Sequence, residues 1–291
     1  MAAKLLEGKP IAEKIRAQVA SEVALLKTKS HGKSPKLVAV QIGENASSVV
    51  YIGNQRKAAA ALGIAYELKT LSATASQGDA EDAVRALNSD ESVSAIILQL
   101  PVPEAIDAQK LVRAISPHKD AEGMHPQNAG KILSGKYRIG PCTAMAVMEL
   151  LEASGVKLYG KEAVIVGHSD IVGKPLALML LNKFVTTTVC HIATGERGVL
   201  PEHVNRAEIL IVAVGKPGIV KGEWVKDGAI VIDVGINRVG DKLVGDIEFE
   251  GASEKASMIT PVPGGVGPLT TTMLMRNTVE LFKESLQLEK I

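Results

Sequence analysis

The chain has 291 residues and is 46% hydrophobic, room for two domains of ordinary size, since single cores stop growing at roughly 250 residues. Its 33 basic and 32 acidic side chains leave a formal net charge of +1 with no run of one sign, which excludes the basic footprint of a nucleic-acid binder and points to small partners. Residues Met1 to Gly8 lack the apolar core of a signal peptide, and no apolar run nears the roughly 18 residues that span a bilayer, so a cytoplasmic protein without membrane partners is expected. In chain order, amphipathic spacing predicts a helix over Pro10–Lys29, a strand over Leu37–Ile42, a helix near Ser47–Leu62 and a strand near Tyr66–Leu71. A helix near Asp79–Asn88 and a buried strand over Ser94–Leu100 follow. Helices between strands mean right-handed crossovers and a mostly parallel sheet.

The stretch from Lys119 to Pro141, with four glycines and two prolines, breaks this rhythm, and Thr143 can cap a helix running to about Ser154. A domain boundary is expected here. The alternation restarts with the strand Ala163–Val166, a helix from about Lys174 to Lys183, and strands over Thr186–His191, Ile209–Val214 and Ile230–Val234. A helical run from Leu269 to Ser285 closes the chain. The expected fold is therefore α/β in two domains: a parallel α/β domain of residues 1–140 plus 270–291, and a Rossmann-like dinucleotide-binding domain of residues 141–269. Cys142 and Cys190, the only cysteines, are too few for a disulfide framework and read as buried thiols. The histidines show no metal-ligand spacing, and no metal site is expected.

Two segments stand out. Pro261-Val-Pro-Gly-Gly-Val-Gly-Pro268 holds three glycines and three prolines in eight residues, so it reads either as a rigid connector or as a loop that brings backbone close to a ligand. Gly167-His-Ser-Asp-Ile-Val-Gly-Lys-Pro175 follows a strand and opens a helix, where free N–H groups receive a pyrophosphate. A nucleophile elbow would need glycine at Ile171, and a Walker loop would need four residues between its glycines and Ser or Thr in place of Pro175. A nucleotide remains the better ligand, and Ser169 as a plain helix cap is compatible with that.

These segments, with Gln99-Leu100-Pro101-Val102-Pro103, Lys119-Asp120, Gly123, His125-Pro126, Pro141-Cys142-Thr143, Val214–Pro217 and Asp233–Asn237, resemble the methylenetetrahydrofolate dehydrogenase/cyclohydrolase family of FolD type over nearly the whole chain. The resemblance implies a homodimer with a folate cleft between two domains. It implies oxidation of 5,10-methylenetetrahydrofolate to the methenyl form by hydride transfer to a nicotinamide, and in many members hydrolysis to 10-formyltetrahydrofolate. On that reading Tyr51 stacks on the folate, Gln99 hydrogen-bonds near the reacting carbon, and Leu100, Pro101, Pro263, Gly264, Gly265 and Gly267 line the folate site. Gly167, His168, Ser169, Ile192, Gly215 and Ile236 would hold the dinucleotide.

The chain departs from its family at three points. Members carry Tyr-x-x-x-Lys, whose lysine handles protons in the hydrolysis, but here Gln55 follows Tyr51 at i+4. An amide does not titrate, and losing general acid–base catalysis typically costs ~10²- to 10⁴-fold. Glu122 stands where the pterin-facing aspartate is expected. The expectation is a dehydrogenase with weak or lost cyclohydrolase activity; the alternatives are the fully bifunctional enzyme and a non-catalytic folate-binding protein. Finally, His168 and Ile192 occupy positions where NADP-using members place cations or hydroxyls, so NAD is the expected cofactor, with NADP possible through Arg197 and a protonated His168.

Overall fold

The computed structural model describes residues 3–288. In chain order it holds β1 (Lys4–Leu5), α1 (Gly8–Lys29), β2 (Lys36–Ile42), α2 (Ala46–Ala61), β3 (Ala65–Leu71), α3 (Gln77–Ser89), β4 (Ala95–Leu98), α4 (Ala108–Ala114) and α5 (Pro126–Leu133). There follow α6 (Cys142–Ala153), β5 (Glu162–Val166), α7 (Gly173–Leu181), β6 (Thr186–Cys190), α8 (Ile192–Glu196), α9 (Leu200–Arg206), β7 (Ile209–Val212), β8 (Ile230–Asp233), β9 (Asn237–Val239), β10 (Lys242–Val244), α10 (Phe249–Lys255), β11 (Met258–Ile259) and α11 (Gly267–Leu288). Among the described residues no helix is long and apolar enough to cross a membrane.

The chain forms two compact units. Residues 14–140 and those from 271 onward make one, and residues up to 13 with 141–270 make the other. The N-terminal residues thus leave the domain to which the sequence assigned them. The reason is β1, which pairs in parallel with β11, Lys4 beside Met258 and Leu5 beside Ile259.

In the first unit β2 is the middle strand of a parallel sheet ordered β3-β2-β4. Its residues Leu37 to Val40 have no accessible surface, which fits the continuous apolar run of a strand covered on both faces. Val38, Val40, Ile96 and Leu98 pack with Val84 of α3 and Leu111 of α4. Helix α3 opens on a capping box: Asp79 N–H donates to Ser76 Oγ at 3.1 Å and Ser76 N–H donates to Asp79 Oδ2 at 2.9 Å. Strand β4 stops at Leu98 rather than Leu100, because Pro101 has no N–H to continue a ladder. Beside it, a parallel bridge between Ile96 and Asp120 lays residues 119–121 along the sheet.

The second unit carries a parallel sheet ordered β1-β11-β8-β7-β5-β6. The chain leaves β5 toward β6 and then returns to β7 on the other side, so the strand order reverses at β5, where open α/β sheets bind ligands. Thr143 does not cap α6: that helix starts at Cys142 after Pro141, without a side-chain cap bond. Cys142 and Cys190 are both buried.

Candidate active site

In the first unit a polar group gathers where α2 meets the sheet. Tyr51 and Gln55 lie one helical turn apart on α2, yet Tyr51 is 58% exposed while Gln55 is 7% exposed. Gln55 Oε1 accepts two hydrogen bonds, from Tyr66 Oη at 3.0 Å and from Gln99 Nε2 at 3.2 Å. Burial pushes the Tyr66 hydroxyl up to about 12 against the opposing charge of Arg56, so at neutral pH it stays a donor. The trio fixes both amides by hydrogen bonds, and none of its members titrates near neutrality.

Gln99 sits just past β4, its N–H bonded to Val40 C=O at 2.8 Å. Leu100 is half exposed; its carbonyl accepts from Ser48 Oγ at 3.4 Å, and the Leu100–Pro101 peptide is cis. Glu122 follows the bridged loop. Its partly buried carboxyl has no hydrogen-bond partner among the described residues, and burial, with the nearby Asp120 charge adding less, pushes it up to about 7. Asp120 is already engaged, its Oδ2 accepting from His125 N–H at 2.8 Å and Asn128 Nδ2 at 3.0 Å.

In the second unit the turn after β5 is built by backbone proximity. Gly167 has φ +123°, and a Cβ there would lie 2.2 Å from Ala213 O; a Cβ on Gly173 would lie 2.0 Å from Gly167 O. Ser169 Oγ accepts from Val172 N–H at 3.2 Å, and Lys174 pairs with Asp170 at 2.6 Å. The rings of His168 and His191 meet edge to face, 5.5 Å apart, and Ile192 beside them is 76% exposed. Such a surface offers α7's N-terminus and two imidazoles to a dinucleotide, and the glycines leave room for its close approach.

Two buried acids support the neighbouring loops. Asp246 Oδ2 accepts from Val214 and Gly215 N–H at 2.6 and 2.8 Å, while its Oδ1 accepts from Asn237 Nδ2 at 2.8 Å. Gly215 N–H is therefore committed within the protein. Asp233 accepts from Gly235, Asp246 and Ile247 N–H, and burial raises it to about 6 despite those bonds. The Pro261–Pro268 segment is also tightly built. Gly8 N–H donates to Gly264 C=O at 2.9 Å, a Cβ on Gly265 would meet Thr260 Cβ at 2.7 Å, and Val262–Pro263 is cis. Its last two residues already belong to α11, with proline near the helix start. Ile236, half exposed, comes beside Gly267, so these two expected residues share one place.

The structure thus groups Tyr51, Gln55, Gln99, Leu100 and Pro101 in one unit, with Glu122 one bridged strand away from Gln99. It groups Gly167, His168, Ser169 and Ile192 in the other, with Gly215 on the loop after β7. Tyr66 and Asp246 were not singled out in sequence. Tyr66 is one residue of an ordinary alternating strand, and only its pairing with Gln55 reveals it; Asp246 follows a glycine in a run with no distinguishing pattern.

The family model described as tetrahydrofolate dehydrogenase/cyclohydrolase, catalytic domain, matches residues 6–122, and that described as the NAD(P)-binding domain of the same family matches residues 141–286. The chain is 49% identical over 282 residues to the bifunctional protein FolD of Geotalea uraniireducens, covering 97% of this chain and 99% of the other. The bifunctional FolD structure from Campylobacter jejuni is similar with a TM-score of 0.93 at 41% identity, covering 97% of this chain and 99% of that one. FolD of Trypanosoma brucei, solved with NADP and an inhibitor, has a TM-score of 0.93 at 41% identity, covering 99% of both chains.

Proposed function

The chain belongs to the tetrahydrofolate dehydrogenase/cyclohydrolase family, and we propose that it oxidises 5,10-methylenetetrahydrofolate to the methenyl form by hydride transfer to a nicotinamide dinucleotide and hydrolyses that product to 10-formyltetrahydrofolate. The observation that carries the oxidative half of this reading is the Tyr66–Gln55–Gln99 trio beside the exposed ring of Tyr51, and the hydrolytic half is supported by the bifunctional relatives. An exposed aromatic face suits stacking on a flat pterin, and Gln99, held by its neighbour, positions the reacting carbon. Leu100, Pro101 and Glu122 border that folate half.

The turn Gly167–Ser169 with Ile192, Gly215 and Ile236 fits a dinucleotide, because its glycines admit backbone approach and α7 opens beside them. A bound nicotinamide supplies the hydride acceptor; the chain's residues orient the two reactants, which is worth ~7–11 kcal/mol. NAD is the cofactor favoured by the exposed Ile192 and by a histidine, rather than an arginine, at position 168. The NADP in the Trypanosoma relative supports the phosphorylated form as the alternative. The active species is taken to be a homodimer.

The sequence pointed to a dehydrogenase with little hydrolysis, and Gln55, an amide fixed as a double acceptor, still favours that second reading. The bifunctional relatives support two activities more strongly. Membership of an enzyme family sets aside the non-catalytic binder. Supplying methenyltetrahydrofolate to the pure protein decides between the two readings: decay well above the spontaneous rate upholds both activities, and decay at the spontaneous rate leaves only the dehydrogenase.

A further inference from the structure

If the chain hydrolyses the methenyl product, some group must take a proton from water and return one to nitrogen. The Tyr66–Gln55–Gln99 trio offers none: two members are amides and the third is a phenol that keeps its proton to about 12. Asp120 is 3% exposed and spent on His125 and Asn128. Lys119, next to Asp120 in sequence, turns away to the carbonyls of Leu87 and Asp90.

Glu122 differs on every count. Its loop is fixed to the sheet, with Ile96 N–H donating to Lys119 C=O at 2.6 Å and Ala121 N–H donating to Ile96 C=O at 3.1 Å. From α11, Asn277 Nδ2 donates to Ala121 C=O at 2.9 Å, and Gly123 sits so close to Gly140 that a Cβ would fall 2.6 Å from its Cα. The parallel register carries residue 122 to the carboxyl end of β4, one strand spacing of about 4.8 Å from the segment that bears Gln99. A rigid backbone thus presents a carboxyl that has no hydrogen-bond partner among the described residues. The nearby Asp120 charge opposes its ionisation.

We propose that Glu122 is the general base and acid of the hydrolytic step, a role that rests on the two-activity reading above. As a water oxygen bonds to the methenyl carbon, the carboxylate takes one water proton and the carbon–nitrogen π pair settles on N5. The carboxylic acid then gives its proton to N5 as the carbon–N5 bond breaks, the remaining hydroxyl proton leaves to solvent, and a formyl group stays on N10. Water is added, one proton is released from the cationic substrate, and nothing is oxidised. A carboxyl that ionises near neutrality is suited to both halves of this exchange.

The test is the pH profile of kcat for methenyltetrahydrofolate hydrolysis between pH 5.5 and 9, in wild type, Glu122→Gln and Glu122→Asp, with dehydrogenase kcat measured alongside. The wild type should show a limb rising through about pH 7 that Glu122→Gln loses, with hydrolytic kcat down ~10²- to 10⁴-fold and a clearly smaller loss of dehydrogenase kcat. Glu122→Asp, with a shorter carboxyl, should keep the limb at reduced height. A Glu122→Gln enzyme that retains the limb, or loses both kcat values by one factor, overturns the role and leaves the two-activity reading intact. A wild type that hydrolyses only at the spontaneous rate overturns both, and a Glu122→Gln protein that fails to melt cooperatively passes the decision to the Glu122→Asp profile.

Discussion

Replacing Gly173 by alanine tests whether the turn after β5 owes its shape to backbone contact. The new Cβ would lie 2.0 Å from Gly167 O, 2.8 Å from its carbonyl carbon and 2.9 Å from His168 Cα, all main-chain atoms that no rotamer change can move. Gly167 cannot yield easily, since Ala213 O already fills the space where a side chain at 167 would stand. Overpacking of this kind costs ~1–3 kcal/mol, and the turn must open to relieve it. At about 1.4 kcal/mol per factor of ten, a displaced turn should weaken NADH or NADPH binding about tenfold or more. The melting temperature should fall by ~2–4 °C for each kcal/mol lost. Fluorescence titration and a thermal melt measure both. Gly130→Ala is the matched control: it lies inside α5 with nothing within 4 Å of its added methyl, and should gain ~0.5–1 kcal/mol with dinucleotide binding unchanged. Wild-type affinity and melting in Gly173→Ala would refute the reasoning.

Asp246→Ala strands three donors, the N–H groups of Val214 and Gly215 and the Asn237 amide, and should lower unfolding stability by about 3 kcal/mol or more in urea titrations; a change under ~1 kcal/mol would contradict the bracing role. For Asp233, burial raises the folded value to about 6 from 3.8, so the folded state holds the proton more tightly and this group's contribution to stability falls as pH rises from about 4 to 6. The difference amounts to ~3 kcal/mol, and Asp233→Asn should flatten that part of the stability–pH curve. Tyr66→Phe removes one of Gln55's two donors and should cost about 1 kcal/mol of stability, with a fall in dehydrogenase kcat that reports looser positioning of Gln99; unchanged stability and kcat would show the trio to be incidental.

Most of the sheet framework was legible because parallel strands buried on both faces read as apolar runs, as Leu37–Ile42 and Ile209–Val212 do. The pairing of β1 was not, since two exposed residues give no periodicity and depend on a partner more than 250 positions away. The hairpin of β9 and β10 passed unread although Gly240-Asp241 is a two-residue turn with φ +60° at its glycine. At the site, the strand–turn–helix order exposed the glycine turn, and composition marked the Pro261–Pro268 segment as unusual. Roles such as Tyr66's and Asp246's arise from tertiary hydrogen bonds that leave no local mark. Glu122 was visible as a longer acid in an unusual place, while its isolation from partners emerged only from the fold.

The most direct measurement is a progress curve with 5,10-methylenetetrahydrofolate and pure protein, run with NAD and NADP in parallel and following reduced nicotinamide, methenyl and 10-formyl species together. Reduced nicotinamide should appear in step with substrate loss, faster with NAD, and the methenyl species should drain to 10-formyltetrahydrofolate faster than it does without enzyme. No reduction of either dinucleotide by protein that binds both folate and cofactor would contradict the account.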